Sequence, residues 1–185
     1  MLKFKFEGVI ENYIQLVTQY PLASAAIQFG ILGTIGEFIS YYIRTKKFSG
    51  FADTVHLILK IIGWALLGII IKYGFTGMKG FVSELLSHNL LPAFFGSGVL
   101  LAFATSFFTN ILFGPQMMAF HRFYDNIIER KKGFQGIQKA WFTLIWFWIP
   151  AHTVTFSLPK EYQIGLAALW SLVLGIILGL AHPKK

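Results

Sequence analysis

A chain of 185 residues that is 55% hydrophobic and only 13% charged, where soluble domains average about a quarter charged, has more apolar surface than a core of its own can hide, so lipid must cover part of it. The absence of cysteine excludes disulfide frameworks, thiolate zinc sites and thiol nucleophiles. A formal net charge of +8 fits either nucleic acid or a membrane topology signal. The bases sit almost wholly in short gaps between apolar runs, so the membrane reading is taken and nucleic acid set aside.

Residues 1–20 do not form a span. Phe6, Val9, Ile10, Tyr13, Leu16, Val17 and Tyr20 recur at helical spacing, with Glu7, Glu11, Asn12, Gln15 and Gln19 on the other side. That pattern predicts an amphipathic helix in the interface, ended by Pro21, which suits the first turn of the next helix. No apolar signal segment with a small-residue cleavage site and no Arg- and Ser-rich transit segment is read here, which favours a bacterial cytoplasmic membrane over a mitochondrial inner or peroxisomal one. Five apolar runs follow, each near the roughly 20 residues that one crossing needs. The first covers 22–43 and stops at Arg44, Lys46 and Lys47. The second covers 55–75, and a Gly-rich link, Gly74 to Gly77, separates it from a short amphipathic piece, 78–88. The third covers 90–113, opened by Pro92 and closed by Gly114-Pro115, after which 116–132 is polar and basic and able to continue as a helix. The fourth covers 140–158, interrupted by Pro150, and the fifth covers 164–181. The expected fold is all-α, a single membrane domain over 1–185: a bundle of about five transmembrane helices preceded by the interfacial helix.

The bases orient it. Arg44, Lys46, Lys47, Arg122, Arg130, Lys131, Lys132, Lys139, Lys184 and Lys185 fall on one side, and Lys3, Lys5, Lys72, Lys79 and Lys160 on the other. The richer side is cytoplasmic, which puts the N-terminus outside and the C-terminus inside. Glycines supply the packing. Gly30, Gly33 and Gly36 line one ridge and Gly175 and Gly179 form a second small-xxx-small pair. Such ridges let helix backbones approach closely in lipid, either within one bundle or across a homo-oligomer face.

The ionisable and amide groups inside the apolar runs carry the functional reading. Glu37 lies about 10 Å from the basic end of its helix; a carboxylate there is costly unless paired, protonated or wetted. Lys60 reaches similar depth if the first two spans are antiparallel neighbours, so the two are expected to pair or to share a polar cavity. Pro115 frees carbonyls that side chains or water must satisfy, with Asn110 and Gln116 beside it. His152 and Thr153 follow Pro150, and helices broken at mid-membrane border solute paths. The ordinary alternative is one buried ion pair that fixes helix register. The five histidines are scattered, with no pair at i, i+4, so no metal site is expected. No phosphate loop, nucleophile elbow or HExxH is present, so neither catalysis nor a cofactor is expected.

Tyr13, Tyr20-Pro21, Gly30 and Gly36-Glu37-Phe38-Ile39-Ser40, followed by Asn110 with Pro115, Trp148-Ile149-Pro150, Thr155-Phe156, Pro159, Tyr162 and Trp170, resemble in order the signature of the Mpv-seventeen/22-kDa peroxisomal membrane protein family. Glu37 stands where that family carries Asp. The resemblance implies a small multi-span protein with a pore-like or metabolite-permeability role. A weaker likeness, Asn110-Ile-Leu with Pro115 and Arg122, resembles small bacterial alanine exporters. The expected function is therefore a small-solute channel or facilitator whose polar path is lined by Glu37, Lys60, Asn110, Gln116, His152 and Thr153. Its partners are the bilayer and a small polar solute. The alternatives are a small amino-acid exporter and a structural membrane protein that moves nothing.

Overall fold

The computed structural model describes residues 2–47, 54–134 and 136–180. Lys184 and Lys185 lie outside that range, and Lys3, Lys5 and Gly179 are described in backbone only. The described residues are mostly helical, with no strand among them. They form α1 (Leu2–Gln19), α2 (Pro21–Thr45), α3 (Thr54–Ser87), a 3-10 turn (Ala93–Gly96), α4 (Gly98–Phe108), α5 (Gly114–Ile128), α6 (Ile137–Thr143), α7 (Ile149–Phe156) and α8 (Lys160–Leu180). One π turn (Thr109–Phe113) joins α4 to α5 and another (Leu144–Trp148) joins α6 to α7, so six helical rods result. Four of them are long and apolar enough to cross a membrane: Pro21–Thr45, Thr54–Ser87, Gly98–Ile128 and Lys160–Ile177. The chain is read as an integral membrane protein on that ground.

Two expectations change, and one is met in length alone. The rod over 137–156, expected as the fourth of five spans, has about the length of one crossing but not the apolarity of the other four, because Gln138, Lys139 and His152 fall within it. Gly74 to Gly77 does not break the second span. A single helix of 34 residues runs through it, because Gly74 is a packing position: a Cβ there would lie 2.4 Å from the Phe113 ring. Beyond it, buried Val82 and the Lys79 ammonium, which donates to Gln163 Oε1 at 2.9 Å, hold the extension against its neighbours. Gly114-Pro115 does not close the third span either. The helix starts later than expected, at Gly98, and continues to Ile128. Pro115 has no N–H to give and its ring crowds the carbonyl four residues back. The chain responds by widening one turn: the Gly114 N–H reaches back five residues to the Thr109 carbonyl, and Ile149, just before Pro150, does the same to Leu144. A widened turn is how a helix accommodates such an insertion.

The rods close into a ring. α2 packs between α8 and α3, α3 packs on α5, α4 packs on α7, and α7 returns to α8. The glycine ridge packs closely within this one chain. A Cβ on Gly36 would lie 2.9 Å from the Leu172 Cα, and one on Gly175 would lie 2.8 Å from the Gly36 carbonyl oxygen. Gly33 lies under the Trp64 ring and Gly30 faces Ile61 on α3. Both faces of the ridge are thus occupied intramolecularly. α1 lies against α2 and α8. The Tyr13 hydroxyl donates to Gln28 Oε1 at 3.1 Å and its ring stacks on Tyr162, while Val9, Ile10 and Leu16 stay exposed, as an interfacial helix requires.

Candidate functional site

Inside the ring is a cavity of about 670 Å³ lined by residues from α2 through α8. That volume is within the range of small-molecule sites. Arg44, Lys131 and Lys139, all exposed, stand at one end of it. Phe75, Asn110 and His152, all buried, stand at the other. The cavity therefore opens on the side that carries most of the bases and is closed at depth. From Glu129 to Asn110 it follows the α4–α5 rod for roughly 25–30 Å.

Lys60 is the centre of the upper half. It is only 4% exposed, and its ammonium lies 2.7 Å from Asp125 Oδ1, 3.0 Å from Glu37 Oε2 and 3.5 Å from Glu129 Oε1. Glu37 Oε1 accepts a hydrogen bond from the Trp64 indole N–H at 2.7 Å. His121 Nδ1 lies 3.3 Å from Asp125 Oδ2, and the His121 ring meets Trp64 edge-on. Lys131 pairs with the outer oxygen of Glu129. Burial pushes the Glu129 carboxyl up, but the Lys131 hydrogen bond and the charges of Lys60 and Lys131 outweigh it and hold the group below its ordinary value. The helix backbone builds this cluster. His121, Asp125 and Glu129 recur every four residues, which puts them on one face of α5 and its C-cap, while antiparallel α2 and α3 bring Glu37 and Lys60 to one depth. Breaking such a buried network by removing one partner leaves uncompensated charge, at a cost of about 3–5 kcal/mol.

At the closed end the two widened turns meet. The Asn110 side-chain amide donates to the Ser106 carbonyl at 2.8 Å and lies 3.1 Å from His152 Nδ1. The carbonyl partner fixes which end of the Asn110 side chain carries the NH₂, so His152 Nδ1 must accept and its proton sits on Nε2. The Ser106 hydroxyl donates to the Ile149 carbonyl at 2.7 Å, on the residue just before Pro150. His152 packs edge-on against Phe75, and Phe75 against Phe156; these rings shut the cavity off from the far side.

Four of the six residues assigned to the polar path from sequence, Glu37, Lys60, Asn110 and His152, line this one cavity. Gln116 does not: it is exposed on the outer face of α5, because the π turn rotates α5 relative to α4. Thr153 does not either. Its hydroxyl donates to the Ile149 carbonyl one turn back at 2.8 Å. Sequence reasoning missed Asp125, Glu129, His121 and Trp64. The signal for the first three was the four-residue spacing of His121, Asp125 and Glu129 inside the polar, basic stretch 116–132. The metal expectation also considered histidine pairs alone. Glu37, His121 and Asp125 offer ligand atoms within 4.8 Å of one another, with the Lys60 ammonium between the two carboxylates supplying the positive charge that a divalent ion would bring. No family model, curated protein or solved structure matches the chain.

Proposed function

We propose that this protein is a small-solute facilitator of a cytoplasmic membrane, with the ring of five rods as its transport body and the cavity as its inward-open vestibule. One observation carries the reading: the polar groups that are most expensive to place in hydrocarbon, from four of the five rods, converge on one cavity that opens to the basic side rather than being sealed in a dry core. Permeation requires such a lining, and a purely register-fixing ion pair does not. In this reading all five rods span, the basic mouth faces the cytoplasm by the positive-inside bias, and the C-terminus lies on that side. The Phe75, His152 and Phe156 rings form the barrier on the opposite side. The resemblance to the Mpv-seventeen family supports the same role, and a small amino-acid exporter is the variant of it that couples movement to one direction. The closed inner end is the observation that favours the competing reading, a scaffold that moves nothing. Purified protein in liposomes separates them. The facilitator accelerates efflux of small polar solutes, and Glu37→Gln changes that rate. Vesicles that leak no faster than protein-free ones, with folded protein inserted, rule the facilitator out.

A further inference from the structure

The cavity lining is unbalanced in charge. Five cations and three carboxylates line it. The three carboxylates are all engaged by Lys60, and Glu129 also by Lys131. Arg44, Arg122 and Lys139 are in no ion pair among the described residues. The positive-inside bias accounts for bases on this side of the membrane, but it does not ask them to face a cavity, and flanking loops satisfy it equally well. The hydrogen-bond inventory leans the same way. Among the described residues, two polar atoms of the lining are buried without a partner, the Arg122 Nε and the Trp148 indole nitrogen, and both are donors. Trp148 is only 6% exposed and belongs to the closed end, its ring 5.0 Å from that of His152. A buried donor without an acceptor is costly, so an acceptor-bearing guest gains here what water in a narrow site supplies poorly. His152 adds a third donor, the Nε2–H that its bond from Asn110 dictates.

The geometry points to a small organic anion, a carboxylate, as the guest of this vestibule: Arg44, Arg122 and Lys139 draw it in at the mouth, and the Trp148 and His152 N–H groups receive its oxygens at depth. This rests on reading the cavity as a solute site and adds the class of solute. Converging cations and low-dielectric walls focus the field that concentrates such a guest.

The test uses three probes with the same four-carbon chain, succinate, butane-1,4-diol and putrescine, on the full-length protein. Binding is read in detergent by thermal protection and flux in liposomes. The expected result is that succinate protects and crosses fastest, and that protection weakens as salt rises. Lys139→Gln and Arg44→Gln, both exposed positions, each weaken succinate binding several-fold, and Arg122→Gln weakens it roughly tenfold. If Arg122→Gln fails to fold, the two exposed variants carry the comparison. Succinate binding without flux overturns the facilitator and keeps the anion site. Flux of the diol equal to or faster than that of succinate keeps the facilitator and overturns the anion. Preference for putrescine means that the carboxylates select the guest, and it overturns the anion as well. Binding of none of the three, or succinate binding untouched by the variants, also overturns it.

Discussion

Replacing Lys60 by Met keeps the length and apolar stem of the side chain and removes only the ammonium. Three carboxylates then lose their shared counter-charge: Asp125 at 2.7 Å, Glu37 at 3.0 Å and Glu129 at 3.5 Å. The Met side chain fills the space, so the loss is electrostatic rather than a cavity. Removing one partner of a buried network costs about 3–5 kcal/mol, which for a chain of this size lowers the unfolding temperature by roughly 6–20 °C. Glu37→Gln is the contrasting change. Its side-chain oxygen still accepts from Trp64, and Lys60 keeps Asp125 and Glu129, so the expected loss is about 1 kcal/mol. Adding Glu37→Gln to Lys60→Met removes one of the orphaned carboxylates, so the double variant is more stable than the two single losses sum to, by about 0.5–3 kcal/mol. Intrinsic fluorescence during thermal unfolding in a mild detergent reads all four proteins. If Lys60→Met unfolds no lower than Glu37→Gln, Lys60 is not the ion that holds the cluster together.

Further outcomes follow from particular contacts. Gly36→Ala drives a Cβ to within 2.9 Å of the Leu172 backbone and is expected to destabilise by about 1–3 kcal/mol, whereas Gly77→Ala, with nothing within 4 Å, gains up to about 1 kcal/mol in helix propensity; thermal unfolding of the two variants side by side checks the pair. Asn110→Leu leaves His152 Nδ1 without its donor and is expected to cost about 1–3 kcal/mol, with the imidazole resonances of His152 shifting in NMR spectra. The Glu129 carboxyl is held below its ordinary value of 4.5. Its contribution is thus complete above that pH and is lost as the medium is acidified through the lower, folded value. Glu129→Gln should flatten the acid limb of a stability–pH curve by less than about 1 kcal/mol, given a half-exposed side chain, and leave it unchanged above pH 6.

What the sequence made legible follows from cost. Glu37 and Lys60 stood out because a charge inside an apolar run has few places to go, and their pairing follows from antiparallel neighbours. The apolar runs of α2 and α8 were equally plain. The errors share one cause, reading glycine and proline as punctuation. Gly74 and Gly77 lie within α3 because a ring of Phe113 fills the space a side chain would take at the first. Pro115 lies within a helix because widening one turn releases its clash. With Pro115 taken as the end of a span, the facing of the basic stretch after it is left unassigned, and the Asp125 and Glu129 half of the cluster goes unseen. Gln116 was misplaced for the same reason: its facing depends on a turn that local pattern does not reveal.

The widened turn at Thr109–Phe113 is in effect a one-residue insertion that the helix has absorbed. In a regular helix each residue advances the facing direction by about 100°, so everything downstream is set by that surplus. Excising a single residue there would rewind α5 by about that angle and swing His121, Asp125 and Glu129 off Lys60, although none of them had been touched. The alignment of the charges is thus kept by a counting irregularity about a dozen residues away, and sequence length between Ser106 and His121 is as much a determinant of the cluster as the acids and bases that compose it.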